Sequence, residues 1–475
     1  MSEESKSTQA FDPVIVQGPL SKAVWKLAWP TMLQNIIAGL QGIVDHTLVG
    51  RFVGFTGNAA IGVSWQIFLV VIVFVASVFT GMGILVARFA GANEPEKVNR
   101  VVFQGFLTAI FMMVGFLAPV GLFLAPHLLD WLNAAPEVQV EALPYLRTLF
   151  VFSAGMILYY MTAGVLRAAG DAKTPLRLGI AMTTLNLIGS VVLIRGLGPI
   201  PAFGTLGAAM GTVISSSLVS AYALYLFVTD KLVVRLPKKI IWRPDWAVIR
   251  ELFRFGLPSG FQGIAMNLGG AMLVGFVGAL PHSAEAQAAY AVGYTQLFSL
   301  VSWTSVGLMA AASTVAGQNL GAGQIDRTRR APRTSALMGL FLAAVMGSMF
   351  MLIPEHLLGV FGLEEPTVIA IGSELLFYLT FSALFVTVAL NYNGALQGAG
   401  DTRSPFVITL ISQLIVPIGY LTILQTSRGL QGADVWHAIL MGHFLRCVLS
   451  VARFEQGKWA DIKINIGDSE STAED

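Results

Sequence analysis

Twelve stretches of roughly twenty apolar residues, each bounded by charge, proline or glycine, run the length of this chain. A hydrocarbon core about 30 Å thick needs about 20 such residues per helix. The stretches fall near residues 24–50, 59–84, 101–125, 143–166, 175–195, 205–228, 255–279, 287–314, 334–354, 370–396, 405–424 and 434–455. They are continuous in apolar residues and lack the period-two alternation of a spanning barrel. The chain therefore reads as an all-α integral membrane protein with twelve transmembrane helices. The first stretch begins behind a polar tail without a cleavable-signal layout, so it reads as a retained span.

Composition narrows the function. Only 12% of the 475 residues are charged and 55% are hydrophobic, whereas soluble chains carry about a quarter charged residues. A net charge of +2 without long charged runs gives nucleic acid nothing to bind. The single cysteine, Cys447, excludes an internal disulfide and any cysteine-based metal cluster. No G-x-x-x-x-G-K-(S/T) loop offers an ATP site. No cofactor or metal is expected. The 49 glycines read as close helix packing and bends.

Lys and Arg in the connections set orientation. With the N-terminus inside, 25 of the 29 basic residues fall on the cytoplasmic side, and only Arg51, Arg147, Arg195 and Arg428 fall outside. Both termini are then cytoplasmic. The expected organisation is a tail at 1–20, an N-lobe of six spans at 21–230, a basic linker at 231–254, a C-lobe of six spans at 255–460, and a second tail at 461–475.

The halves repeat. "VLRAAGDAKTPL" (Val165–Leu176) recurs 230 residues later as "ALQGAGDTRSPF" (Ala395–Phe406), and "FAGANEPEKVNR" (Phe89–Arg100) lies over "NLGAGQIDRTRR" (Asn319–Arg330) at the same offset. Gln66 falls on Gln296, Pro30 on Pro258 and Gln34 on Gln262, while His127 and His356 recur in outer loops. Six spans per copy make the two bundles parallel, related by a pseudo-twofold axis along the membrane normal, with a central cleft. Within the repeat, Gly170 and Gly400 permit a tight turn, Asp171 and Asp401 can cap the next helix, and Pro175 and Pro405 suit its first turn.

An intramembrane charge is costly, about 2.5 to 3.5 kcal/mol on insertion scales, and so marks a candidate site. Asp45 is the one acid placed deep in a span. Seven- and four-residue spacings align Gln34, Ala38, Gln41 and Asp45 on one helical face, a polar stripe that must meet protein or water. Asp45 is then either hydrogen-bonded packing or an ion-coupling carboxylate. His46 is adjacent in sequence but points about 100° away. Tyr159, Tyr160, Tyr294 and Phe298 offer π faces to a lipophilic cation, or pack against core and lipid. An integral-membrane enzyme would need convergent nucleophile and acid–base groups, which are not evident.

Two six-span halves, "G-x-G-D-x-(K/R)-x-P" in each, "LGAG" before a basic helix, "GTLGAAMGTVIS" at the sixth span and "IVDHTLVGRFVG" in the first together resemble the multidrug and toxic compound extrusion (MATE) family of the MOP superfamily. The resemblance covers residues 20 to 460. It implies a multidrug efflux antiporter of the cytoplasmic (inner) membrane, working by alternating access as a monomer among membrane lipids. It would export amphipathic, often cationic molecules against inward H⁺ or Na⁺. By the same resemblance Asp45, fifteen residues after the kink-forming Pro30, is the coupling acid, with Asn186 and Thr212 beside it. The sequence departs from the family at Ser190, where many relatives have a second acid. The seventh and tenth spans offer Gln262, Asn267, Asn391 and Asn393 in place of acids, which favours H⁺ over Na⁺. Gln34, Gln41, Tyr160, Gln262, Asn267, Asn391 and Asn393 are expected to line the substrate cleft. A lipid-linked oligosaccharide flippase of the same superfamily is the alternative, but it would want Arg or Lys at membrane depth, and the basic residues all read as lying in connections.

Overall fold

A chain crossing hydrocarbon must satisfy its backbone groups internally, and a helix does so within each segment. The computed structural model describes residues 11–235 and 242–467. Among these residues each of the twelve apolar stretches is helical, and the only β pairing is an isolated bridge between Leu197 and Ile200. Ten helices are long and apolar enough to cross a membrane. Another span, the fourth, is split into Pro136–Val151 and Ala154–Ala168 and bent by 52°. The first span, Leu20–Phe52, is 33 residues long and continuous through Pro30, but its polar stripe makes it less apolar than the others.

The helices overrun the apolar stretches. The second runs Phe55–Gly91, the third Pro95–Trp131, the eighth Ser283–Gly321 and the ninth Ile325–Leu352. The extra turns carry polar, charged or small residues, among them Arg88, Lys97, Arg100 and Arg327, so an apolar count sees only the middle of each helix. The remaining spans are Lys173–Arg195, Thr205–Val228, Trp246–Gly278, Pro366–Gly398, Arg403–Ser427 and Gly432–Glu455.

The repeat is preserved in the turns to the level of single hydrogen bonds. After the fourth span Asp171 N donates to Leu166 O and Gly170 N to Arg167 O; after the tenth, Asp401 N donates to Leu396 O and Gly400 N to Gln397 O. This paired closure of a helix end needs a left-handed residue, and Gly170 (φ 103°) and Gly400 (φ 96°) supply it. Asp171 Oδ1 then accepts from the backbone N of Lys173 and of Thr174, both at 3.0 Å. Asp401 accepts from Ser404 and also pairs with Arg453 at 2.8 Å. The same closure follows the second and eighth spans, with Asn93 and Gly323 in the left-handed position.

The chain packs as two units. One comprises Leu33–Leu257 with the chain ends, and the other Val14–Met32 with Pro258–Ile462. In terms of chain order, the leading turns of the first span belong to the second unit, and those of the seventh to the first. Both boundaries fall within two residues of a proline, Pro30 and Pro258. Part of the basic linker, including Lys238 and Lys239, lies outside the described residues, as do residues 1–10 and 468–475 of the tails. The described part of the linker is held to the third span by the Arg100–Asp245 ion pair at 2.5 Å and by Gln104, which bonds Arg243 O and Asp245 N.

In the first unit the seventh span crosses the second so closely that a methyl group added at Gly256 would strike the Ser77 carbonyl, and one at Gly81 the Leu252 carbonyl. Overpacking of this kind costs about 1–3 kcal/mol. Gly256→Ala and Gly81→Ala are expected to lower the thermal unfolding midpoint of the detergent-solubilised protein. Gly164→Ala and Gly263→Ala, whose added carbon meets nothing within 4 Å, should not. Equal midpoints for all four variants would contradict the crossing.

Candidate functional site

The first unit carries two polar clusters on the stripe of the first span. The inner one centres on Gln34, which donates from Nε2 to the Tyr159 hydroxyl at 2.7 Å and accepts at Oε1 from Arg167 Nη1 at 3.1 Å. Tyr159 is 1% exposed and packs edge-on against Tyr160, which is 42% exposed. These side chains, with Ala38 and Thr183, line a cavity of about 90 Å³. That volume holds a few waters, well short of the roughly 300–1,000 Å³ of a drug-sized pocket.

The second unit repeats the construction. Gln262, the counterpart of Gln34, donates from Nε2 to Thr409 Oγ1 at 3.0 Å and accepts at Oε1 from Gln397 Nε2 at 3.0 Å. Gln397 stands 230 residues after Arg167, so the register that aligns the turns also aligns the networks. A neutral amide here takes the place of the guanidinium.

Eleven residues beyond Gln34, or about 16 Å along the helix, Asp45 marks the second cluster. The polar groups acting on its carboxylate are Ser190, Gln41 and the adjacent His46. Gln41 is fixed by Thr183, whose Oγ1 donates to its Oε1 at 2.8 Å. Asn186 Nδ2 donates to Thr212 Oγ1 at 3.1 Å, and that hydroxyl donates onward to Ala208 O. Asn186 and Ser190 are fully buried one turn apart on the fifth span, and Thr212 faces them from the sixth. Close approach of these spans is allowed by Gly189 against Gly211. Asp45 Oδ1, Asn186 Oδ1 and Ser190 Oγ are all buried without a hydrogen bond. Buried oxygens are rarely left so. His46 turns away, its Nδ1 2.5 Å from Asn58 Oδ1.

In the second unit Gln262 of the seventh span and the asparagines of the tenth have hydrogen-bond partners, although Asn393 Nδ2 is buried without one. Asn391, fully buried, donates to Thr387 O at 2.8 Å and accepts from Ser335. Asn393, also fully buried, accepts from Ser450 Oγ at 2.9 Å. Asn267 is exposed. Tyr294 and Phe298 stack at 5.4 Å within a run of aromatic side chains.

One reading is corrected. Basic residues do stand inside spans: Arg167 faces the small cavity, and Arg446 is 2% exposed within Gly432–Glu455, nine residues from its end. The residue count had assigned Arg446 to the C-terminal tail and Arg167 to a loop. The apolar "HAILMGHFL" before Arg446 and "CVLSVA" after it carried the signal.

A family model described as MatE matches residues 30–192 and 258–421. A probable multidrug resistance protein NorM of Thermotoga maritima is 26% identical over 445 residues, covering 93% of each chain. A probable multidrug resistance protein YoeA of Bacillus subtilis is 26% identical over 431 residues, covering 90% of this chain and 92% of that one. Among solved structures, a MOP superfamily transporter from Pyrococcus furiosus has the same fold, with a TM-score of 0.85 at 20% identity over 97% of this chain and 100% of that one. Its description says that the reverse polarity of its binding pocket suggests a different function.

The paired glutamines give a local test. Leaving buried partners unsatisfied costs about 1–3 kcal/mol. Gln34→Leu strands Arg167 and Tyr159, and Gln262→Leu strands Gln397 and Thr409, so each should lower the unfolding midpoint measured by intrinsic fluorescence. Unchanged midpoints in both variants would show that the networks are incidental to the fold.

Proposed function

Because the chain belongs to the MatE family, we propose that it is a secondary multidrug antiporter that expels amphipathic, largely cationic compounds in exchange for inward protons. Its place is a cytoplasmic membrane, with both termini and the basic segment at 231–254 inside, as the skew of Lys and Arg favours. The observation that carries the coupling is the Asp45 cluster. It holds a single carboxylate, with one buried oxygen lacking a donor, beside Ser190 and Gln41, and the Asn186–Thr212 pair stands one turn from Ser190.

Desolvation disfavours an anion in such a place, so a proton that neutralises the carboxylate is a suitable coupling particle. A sodium ion would have one formal negative charge to bind. The driving force suffices, since one charge crossing 100 mV gains about 2.3 kcal/mol. Gln41 is held by a threonine hydroxyl, which leaves its amide N–H for Asp45 with little reorganisation, and Asn186 is fixed by Thr212 behind Ser190. Their role is to set how costly the anion is as the first span moves. A loosely specific pump needs a mostly apolar binding surface with few polar groups, in keeping with the scarcity of charge in the spans.

Two outcomes follow. In proteoliposomes with H⁺ and Na⁺ gradients imposed separately, the wild type should export a cationic dye under the proton gradient. Asp45→Asn should lose that export by at least about tenfold while still binding the dye, because an amide cannot release a proton; undiminished export in this variant would refute the assignment. Expression in a pump-deficient bacterium should raise tolerance to several unrelated dyes and antibiotics. Protection against one compound alone would indicate a dedicated carrier.

A further inference from the structure

The second unit holds a buried cation that the proposed coupling does not use. Arg446 is 2% exposed, its Nε has no hydrogen-bond partner, and its Nη2 meets only the Met266 sulfur at 3.8 Å. Thioether sulfur is a weak acceptor, and a guanidinium has five N–H donors to satisfy. Among the described residues no ion pair with a carboxylate is seen at Arg446, and the polar group beside it is the neutral Tyr294 hydroxyl. One turn earlier on the same face, His443 is 4% exposed and its Nδ1 is also without a partner. An isolated buried charge costs several kcal/mol unless something pairs it. Inside a membrane such a residue marks a functional site by default.

The surroundings say what would pair it. Tyr290, Tyr294 and Phe298, spaced four residues apart on the eighth span, stack at 5.0 and 5.4 Å, and Phe298 stacks on the His443 ring at 5.6 Å. Tyr294 sits where that helix widens into a π-helical stretch, Ala291–Leu297, a deviation frequent at functional sites. Tyr294 is half-buried and Met266 is 43% exposed. Arg446 is thus one flexible side chain from the surface of its unit, and methionine yields readily to a ligand.

We propose that Arg446 and His443, with the aromatic stack beside them, form a binding site for the anionic group of an aromatic or amphipathic solute, a carboxylate or sulfonate. The unpartnered Arg446 Nε–H, joined by His443 Nδ1 in the tautomer that carries its proton there, suits an acceptor-only group, and arginine engages a carboxylate through two parallel bonds. The stacked rings supply an apolar face for the rest of the molecule. The site widens the proposed substrate class from cations to zwitterions and organic anions. It rests on the transport reading only for the origin of its ligand.

Equilibrium binding tests the site without any gradient, so a failure of coupling cannot be confused with a failure of this proposal. With the full-length protein in detergent, 2-naphthoate is titrated calorimetrically and tetraphenylphosphonium serves as the matched cation. Arg446→Gln should weaken naphthoate binding by about tenfold or more, equal to about 1.4 kcal/mol. Arg446→Lys should restore part of it, and tetraphenylphosphonium binding should not weaken in either variant. Should Arg446→Gln fail to fold, Met266→Glu provides the second arm. Its carboxylate would pair with Arg446 from within, displace naphthoate, and raise the unfolding midpoint above that of Met266→Gln. The proposal is overturned if the wild type does not bind naphthoate, if Arg446→Gln binds it undiminished, or if Met266→Glu binds it as the wild type does.

Discussion

In a hydrocarbon slab a polar group has no water to fall back on, and each donor or acceptor must find its partner within the protein or keep a purpose for being without one. That constraint explains the helices, the turns that close them with paired hydrogen bonds, and the glutamine networks. Gln34 and Gln262 are each satisfied at both ends of the amide by side chains more than 120 positions away. It also singles out the exceptions. Among the residues that retain buried atoms without partners are Asp45, Asn186 and Ser190 in one unit, and Asn393, His443 and Arg446 in the other. Those that carry or face a charge at membrane depth, Asp45 and Arg446 with their neighbours, are where chemistry is expected.

The repeat supplies a common scaffold but different charges. The offset of 228 that sets Gln34 over Gln262 sets Asp45 over Leu273, a core residue 7% exposed. The offset of 230 sets Arg167 over the neutral Gln397. Matching hydrogen bonds at the helix ends keep the spans in equivalent places, so each half can vary its polar side chains without moving its backbone. Duplication accounts for the architecture, and the divergence at single positions accounts for function.

Much of this was legible in the sequence, for identifiable reasons. Span number followed from apolar length, and the turn at Gly170 and Gly400 from residue types with strong local preferences. Asp45 stands out as a candidate because a lone acid in an apolar run is rarely accidental. Helix ends were not, because an amphipathic turn beyond the hydrocarbon has no apolar signature; nor was the 52° bend of the fourth span, which no proline or glycine at Phe152 or Ser153 announces. Asn391 and Asn393 read as polar residues in an apolar span, but a linear pattern cannot say that Ser335 and Ser450 are their partners. Arg446 was lost to a counting rule that assigns basic residues to loops and so hides the exception inside a span.

The first span links the Asp45 cluster to the rest of the chain. It is one continuous helix, yet Val14–Met32 packs with the second unit and Leu33 onward with the first. The change of packing partner comes two residues after Pro30, where the missing N–H removes a rung from the helix ladder. A bend is therefore least costly where the helix passes between units. Any rotation there carries Gln34, Gln41 and Asp45 together, since they share one face. Asn186, Ser190 and Thr212 ride on spans five and six, whose close crossing at Gly189 and Gly211 holds them as a fixed wall. In the proposed mechanism, motion of the stripe past those spans would change which neutral groups the carboxylate meets, and so how readily it holds a proton. A difference of 1.4 kcal/mol between two positions is a factor of about ten in proton affinity. On the proposed reading, coupling would need no second carboxylate: one acid on a helix that changes packing partner, facing neutral side chains, would serve.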